Sequence, residues 1–264
     1  MPQDLRCADE LLECVHAGST NLLLGVKAVS QLLNPEVDLA WVDSQLLDLA
    51  GKVRTHGESV DTLLKTFHDE GFLGLAADEF HEYSNSDIEQ VLRTRRGLPI
   101  TYVAMIIGVC DHLSLPSHGV NFPGVFLAQV DDRIINPIDF SVLDYDAFTT
   151  DLRKKDISVP DHPELASNAD ILKRMFNNLQ EVASVKGDVV RRLEFVDYMQ
   201  LIEPNDWYSH FKRAETWVSM GDYSAAKAEL EIARDLLDDE SAIAMIDQNL
   251  KRLTIGSDDD QVMH

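Results

Sequence analysis

One apolar run bounded by prolines constrains the fold of this chain more than any other feature. Residues 100–109 are apolar on nearly every side of a helix, and a helix of that kind has to lie inside a core. Gly97 suits the end of the preceding helix, and Pro99 suits the first turn of this one. Pro116 closes it. The sequence therefore predicts a central buried helix with other elements packed around it.

The residues on either side of this run predict helices first and strands afterwards. Apolar residues recur at helical spacing in residues 22–33, 37–54 and 60–72, and residues 86–89 have the composition of a helix capping box. Residues 119–140 instead alternate as a β-hairpin. Residues 1–150 are therefore expected to form one domain, and the chain to be mainly α (α+β) with a small antiparallel β-hairpin or sheet.

An internal repeat follows a polar segment. Residues 151–168 contain two prolines and are predicted to be a linker. Gly187-Asp188 then recurs as Gly221-Asp222, 34 residues further on, which is the tetratricopeptide period. Residues 169–255 are predicted to be two degenerate repeats of that kind with a capping helix. Residues 256–264 are expected to be an acidic disordered tail.

The composition limits the classes of partner and the compartment. A formal charge of −23 repels phosphate backbones, so nucleic acid is not expected as a partner. No apolar run approaches the length of a membrane span, and the acidic first residues do not resemble a signal peptide. Three cysteines are an odd and sparse set, as in a reducing compartment. We therefore expect a cytoplasmic protein that acts away from membranes.

Several segments together resemble a known bacterial family. RRGLPI at residues 95–100 and GVNFPG at residues 119–124 are its most specific marks, and residues 135–140 read INPIDF. In this order they resemble the SirB-type proteins, which join a transglutaminase-like N-terminal domain to tetratricopeptide repeats. The resemblance covers the chain from about Leu22 to Leu253. It implies the same two-part architecture, with a helical transglutaminase-like domain first.

The same resemblance implies that a catalytic triad is missing. Members of the wider transglutaminase-like superfamily use a Cys-His-Asp triad, with the cysteine at the start of a buried helix. The resemblance places these slots at Pro99, Val125 and Asn136. If Asp131-Asp132 is a two-residue turn, Val125 and Asn136 are diagonal neighbours on one face of the hairpin. None of the three residues can replace the lost nucleophile, base or carboxylate, so no catalytic residue and no cofactor are expected.

A relocated nucleophile is the alternative. Cys110 is the candidate, with His112 or His118 as its base, and the reaction would be that of a cysteine-dependent hydrolase or acyltransferase. Cys110 and His112 point in different directions on a helix because they are two residues apart. Free cysteine inside an apolar helix is also commonly an inert core residue. We therefore expect Cys110 to be buried.

Other candidates belong to binding rather than catalysis. Arg93, Arg95 and Arg96 form the one compact basic run, which either pairs with nearby carboxylates or contacts an anionic group of a partner. Tyr208, Lys212 and Arg213 are candidates for a peptide-binding face of the repeats. The acidic and histidine side chains of residues 68–82 include metal-capable groups but lack a tight motif, so no metal is expected. This set contains His68, Asp69, Glu70, Asp78, Glu79, His81 and Glu82.

Two functions and a regulatory variant follow from these observations. The leading hypothesis is a non-catalytic scaffold, a pseudoenzyme that binds a protein or peptide through its repeats. The relocated cysteine enzyme is the alternative. A role in the regulation of virulence genes, which the name of the resembling family suggests, would have to act through another protein because the negative charge disfavours DNA.

Overall fold

The computed structural model describes residues 5–16, 21–76 and 79–260. The chain divides into two compact units between Met175 and Phe176. No helix of the described residues is long and apolar enough to cross a bilayer.

The first unit is built mostly of helices, as predicted. The helices up to the sheet are α1 (Ala8–Val15), α2 (Leu22–Leu33), α3 (Leu39–Thr55), α4 (Val60–Asp69), α5 (Ile88–Thr94) and α6 (Pro99–Leu113). Most of these helices have an N-cap residue whose side chain accepts a hydrogen bond from the first turn. Asp38 caps α3 by accepting from the Trp41 amide, and Asp87 caps α5 by accepting from the Glu89 amide. Polar caps between apolar runs thus fix where these helices start.

Helix α6 is the buried centre of this unit. Every residue from Ile100 to Cys110 is buried, which confirms the prediction from the apolar run. Pro99 occupies the first turn, where its missing amide hydrogen costs no bond. Ser114 ends the helix in the left-handed conformation, with φ 56°.

A five-stranded antiparallel sheet follows α6, in the order β4-β3-β2-β1-β5. Its strands are β1 (Ser117–Phe122), β2 (Val125–Val130), β3 (Arg133–Asn136), β4 (Ser141–Leu143) and β5 (Glu164–Ala166). The register pairs Val130 with Arg133, as a two-residue turn at Asp131-Asp132 requires. Asp131 takes a left-handed φ of 53° in that turn. The predicted mainly-α fold with a small antiparallel sheet is confirmed.

The two faces of the sheet are covered by different helices. The thiol of Cys110 on α6 hydrogen-bonds the side chain of Ser117, which pairs with Val130. Helix α6 therefore covers the face that carries Ser117 and Val130. Helix α7 (Tyr145–Arg153) packs on the other face. The apolar residues of that second face are Val120, Phe122, Val125, Leu127, Ile134 and Leu143, packed with Tyr145, Phe148 and Leu152.

The segment between sheet and repeats is more structured than a linker. Helix α7 continues to Arg153, and β5 pairs with β1 through Gly119 and Ala166. The pairing satisfies the backbone of residues 164–166 within the sheet, so these residues are part of the first unit's sheet. Sequence alone gives no sign of this pairing because its two strands are far apart in the chain.

The second unit consists of helical hairpins. Its helices are the C-terminal part of α8 (Asn168–Lys186), then α9 (Val189–Ile202), α10 (Trp207–Ser219), α11 (Tyr223–Asp235) and α12 (Glu240–Asp260). Gly187 and Gly221 take left-handed φ values of 70° and 79° in equivalent turns. Asp188 and Asp222 then cap α9 and α11. The two hairpin turns therefore repeat with the 34-residue spacing seen in the sequence.

Small residues pack the second hairpin, as the repeat pattern indicates. Ala214, Ala226, Leu230 and Ala233 form one buried cluster together with Ile246. Helix α12 runs further than the capping helix read from the sequence. Residues 256–260, expected to belong to a disordered tail, continue that helix, and residues 261–264 lie outside the described part of the chain.

Candidate functional site

Pro99, which the resemblance assigns to the nucleophile slot, is the first residue of α6. Leu98 precedes it with extended backbone and provides no side-chain cap. A cysteine at this position would benefit from the positive end of the helix, which favours a thiolate. The proline side chain has no ionisable or nucleophilic atom, so the helix dipole cannot activate a nucleophile at this position.

Aromatic packing covers the first turn of α6. The hydroxyl of Tyr102 donates towards the carbonyl oxygens of Leu73 and Arg95, at 2.7 and 2.9 Å. The ring of Phe140 lies 5.3 Å from that of Tyr102 and stacks at 5.1 Å on Phe67. Burial raises the pKa of Tyr102 to about 12, which keeps its hydroxyl protonated as a donor. This end of the helix is therefore packed as core.

Val125 and Asn136 share a face of the sheet, and it is the face under α7. Val125 packs against the cluster that contains Leu127 and Ile134. Asn136 is two residues after Ile134 on β3. Because side chains alternate between the two faces of a strand, Asn136 lies on the same face as Ile134. The side-chain oxygen of Asn136 accepts from the amide of Ile138 at 3.1 Å. Val125 thus serves packing, and Asn136 serves a local turn.

The first slot lies at the start of a helix, and the other two lie on strands. Pro99 begins α6, which covers the opposite face, the one with Ser117 and Val130. Strand alternation turns Phe126 to that face, beside Gly119. The frame therefore brings Val125 and Asn136 to one face, as the hairpin register indicated, while the helix that Pro99 begins covers the other face.

Cys110 is a core residue. Its exposure is 0%, and burial raises the pKa of its thiol to about 12, although the hydrogen bond to Ser117 lowers it. A nucleophilic cysteine needs the opposite shift. The two proposed bases, His112 and His118, are exposed side chains. The environment of Cys110 is therefore the one expected from its apolar surroundings.

Each arginine of the basic run has partners within the chain. Arg93 forms two hydrogen bonds to Glu89, at 2.7 and 3.1 Å, and lies 4.0 Å from the centroid of the Trp41 ring. Arg95 lies 4.6 Å over Phe72 and donates to the Leu92 carbonyl. These contacts tie α5 to its surroundings and match the intramolecular interpretation of the run.

Arg96 is the third member of the run. It is exposed and donates to the carbonyl oxygen of Gly74 at 2.9 Å. Its backbone forms a bridge with Leu73. Arg96 thus fastens the segment that carries the Tyr102 acceptor, and its guanidinium still faces solvent.

The repeat candidates are half-buried and bonded within the second unit. Tyr208 donates to the Asn177 side chain at 3.3 Å. Lys212 lies 5.4 Å over the Tyr208 ring and pairs with Glu215 at 3.1 Å. Such contacts hold neighbouring helices together, and they leave only the outer parts of these side chains for a partner.

Arg213 belongs to a polar network that the sequence does not reveal. Its guanidinium donates to Gln200 at 2.5 Å and pairs with Asp197 at 3.2 Å. His210 adds a contact to Glu229 at 2.7 Å. Burial raises the pKa of Asp197, and Arg213 lowers it in part. Because these residues come from three helices, no local spacing could have signalled the network.

No metal centre forms from the residues that the structure describes. Within them, no group of three or more histidine, cysteine, aspartate or glutamate side chains is arranged to hold an ion. The acidic set of residues 68–82 is spread over the end of α4 and the segment after it. Asp78, a member of that set, lies outside the described residues.

Comparison with known proteins identifies the family of the first unit. The family model of the transglutaminase-like superfamily matches residues 30–177, more than half of the chain. The chain belongs to the transglutaminase-like superfamily. The match extends from α2 through the sheet into α8.

Curated relatives carry no named activity. A UPF0162 protein of Pseudomonas aeruginosa is 27% identical over 208 residues, or 74% of each chain. A UPF0162 protein of Xylella fastidiosa is 28% identical over 171 residues, 58% of this chain and 59% of the relative. One of Vibrio cholerae is 27% identical over 117 residues, 41% of this chain and 43% of the relative. The matches thus span less than two thirds of the last two relatives. No solved structure matches significantly.

Proposed function

We propose that this member of the transglutaminase-like superfamily is a non-catalytic interaction protein, a pseudoenzyme that recognises a protein or peptide without a covalent step. Pro99 at the first position of α6 carries the proposal, because a superfamily reaction would need a nucleophile there. A triad acts as a unit, so the loss of its members removes the reaction rather than weakening it.

The state of the thiols supports this proposal over the cysteine-enzyme alternative. Cys14 and Cys110 are buried, and burial raises their pKa values to about 11 and 12. Cys7, which is partly exposed, also has a raised pKa, mainly through burial. None of the three has the lowered pKa that activates a cysteine nucleophile.

We further propose that the helical hairpins of the second unit are tetratricopeptide-type repeats, as in SirB-type proteins, and that they hold the partner. The matching turns at Gly187 and Gly221 and the alanine-rich second hairpin support this assignment. Tyr208, Lys212 and Arg213 remain the candidate contacts. With a chain charge of −23, the partner is a protein rather than nucleic acid, and the low cysteine content fits a cytoplasmic site of action.

Affinity capture with the full chain as bait tests this function. We expect a partner that binds the wild type and Cys110→Ala equally and that is lost with Tyr208→Ala or Lys212→Ala. Lys227→Ala is the matched control, because Lys227 is an exposed lysine on α11 of the same unit. Circular dichroism checks that each variant is folded. A captured protein that depends on Cys110 would contradict the proposal, and so would one that is indifferent to both Tyr208 and Lys212.

A further inference from the structure

Strand β4 is an open edge of the sheet in the first unit. It pairs with β3 on one side, and within the described part of the chain no strand pairs with its other side. Ser141 and Val142 are exposed. The Ser141 amide already donates to the Asp139 carboxylate at 3.1 Å, and the remaining outward backbone groups of an edge strand are a template for another strand.

Apolar side chains surround the start of this edge. Val142 is 40% exposed, and Ile138, in the turn that leads into β4, is 43% exposed. Gly74 lies close to the same turn, because a Cβ built on it would be 2.7 Å from the Ile138 side chain. Its neighbour in the chain, Leu73, is 50% exposed. Adjacent exposed apolar side chains are a feature of binding surfaces.

An acidic groove lies at the other end of β4. It has a volume of about 240 Å³ and receives Asp144, the residue directly after the strand. Asp132, Asp146 and Asp161 line it as well. Asp161 pairs with Arg153 at 2.8 Å. Among the described residues, the other three form no ion pair. Arg133, which follows Asp132 in the chain, pairs with Asp61 instead.

We propose that β4 and this groove bind an extended basic segment of a partner protein. The segment adds a strand to the β4 edge, rests apolar side chains on Ile138 and Val142, and places a lysine or arginine in the groove beyond Leu143. Backbone pairing supplies affinity in such complexes, and alternate side chains supply specificity. The acidic groove selects a basic segment by charge. A second copy of this chain is disfavoured by its charge of −23.

This surface lies outside the helical hairpins, so the proposal goes beyond the function assigned to them. Tyr208→Ala is expected to remove the hairpin partner and to leave binding at β4 unchanged. Failure of one proposal is therefore distinguishable from failure of the other.

Fluorescence anisotropy with the full chain tests the charge requirement. The probe is a labelled short peptide in which lysine alternates with valine, and its control carries glutamate in place of lysine. We expect the lysine probe alone to bind, and the double variant Asp132→Asn with Asp146→Asn to weaken binding by about 10-fold or more. The double variant Asp235→Asn with Asp238→Asn removes the same charge from exposed positions in the second unit and should bind as the wild type does.

Hydrogen exchange locates the added strand. The lysine probe should slow exchange of the β4 amides, residues 141–143, and leave those of the opposite edge strand, residues 164–166, unchanged. The proposal would be overturned if the probe slowed amide exchange only at residues 164–166, or if the probe did not bind. It would also be overturned if both double variants bound the probe equally. Protected β4 amides in a dimer without peptide would also overturn it, because a second copy would then occupy the edge.

Discussion

At the scale of single residues, the chemistry of each candidate is decided by what surrounds it. Cys110 sits one turn before the end of α6, with 0% exposure and a hydrogen bond to Ser117. Taking a thiolate out of water is unfavourable, so burial keeps the proton on sulfur. Asn136 uses its oxygen for the Ile138 amide. Both side chains therefore have structural roles.

The reactivity of Cys110 towards an alkylating agent is a direct consequence of this burial. With a pKa of about 12 against an ordinary 9.0, the thiolate fraction at neutral pH is lowered by about 10³-fold. Native protein should therefore label at Cys110 at least that much more slowly than unfolded protein. Mass spectrometry of iodoacetamide-treated samples measures both rates, and Cys7, partly exposed, is the internal reference. Rapid native labelling at Cys110 would contradict the buried-thiol account.

At the scale of elements, contact between α8 and the sheet depends on a glycine. A Cβ on Gly119 would lie 2.8 Å from the ring of Phe126 and 3.1 Å from the side chain of Ile171 on α8. The strand can therefore approach its neighbours only if this position has no side chain. Gly51 on α3 has open space around its Cβ position instead, with nothing within 4 Å.

The two glycines give a matched pair of alanine variants. Gly119→Ala should lower the free energy of unfolding by about 1–3 kcal/mol, because a packed core has to shift. Gly51→Ala should raise it by about 0.5–1 kcal/mol, because alanine is the better helix former. Urea unfolding followed by circular dichroism measures both changes. Equal effects of the two substitutions would show that the packing at Gly119 is not as tight as described.

The elements that sequence predicted are those specified locally. The apolar run predicts α6, and the Asp131-Asp132 turn predicts the pairing of Val130 with Arg133, because neighbouring residues determine both. Strand β5 is short, follows prolines and pairs with residues more than forty positions earlier, so no local pattern marks it. The contact of His210 with Glu229 likewise exists only once α10 and α11 pack together.

At the scale of the whole molecule, the chain has the helix and sheet of a transglutaminase-like domain, and the slots assigned by the resemblance hold proline, valine and asparagine. The resemblance to SirB-type proteins assigns the triad slots to Pro99, Val125 and Asn136, and the hairpin register puts the last two on one face. Neither shows which face of the sheet α6 covers, because that choice depends on how the chain turns between Leu113 and Ser117. The structure places α6 and α7 on opposite faces of the sheet.

Refilling the slots is the measurement that tests this account most directly. The variant Pro99→Cys, Val125→His, Asn136→Asp carries the three residue types of the superfamily triad on this frame. Its rate of acyl transfer from a glutamine peptide to an amine probe should equal that of the wild type, because the helix with the new cysteine covers one face of the sheet and the new histidine lies on the other. A folded variant that gains about 10²-fold or more in rate, and loses it when Cys at position 99 is returned to proline, would contradict the account.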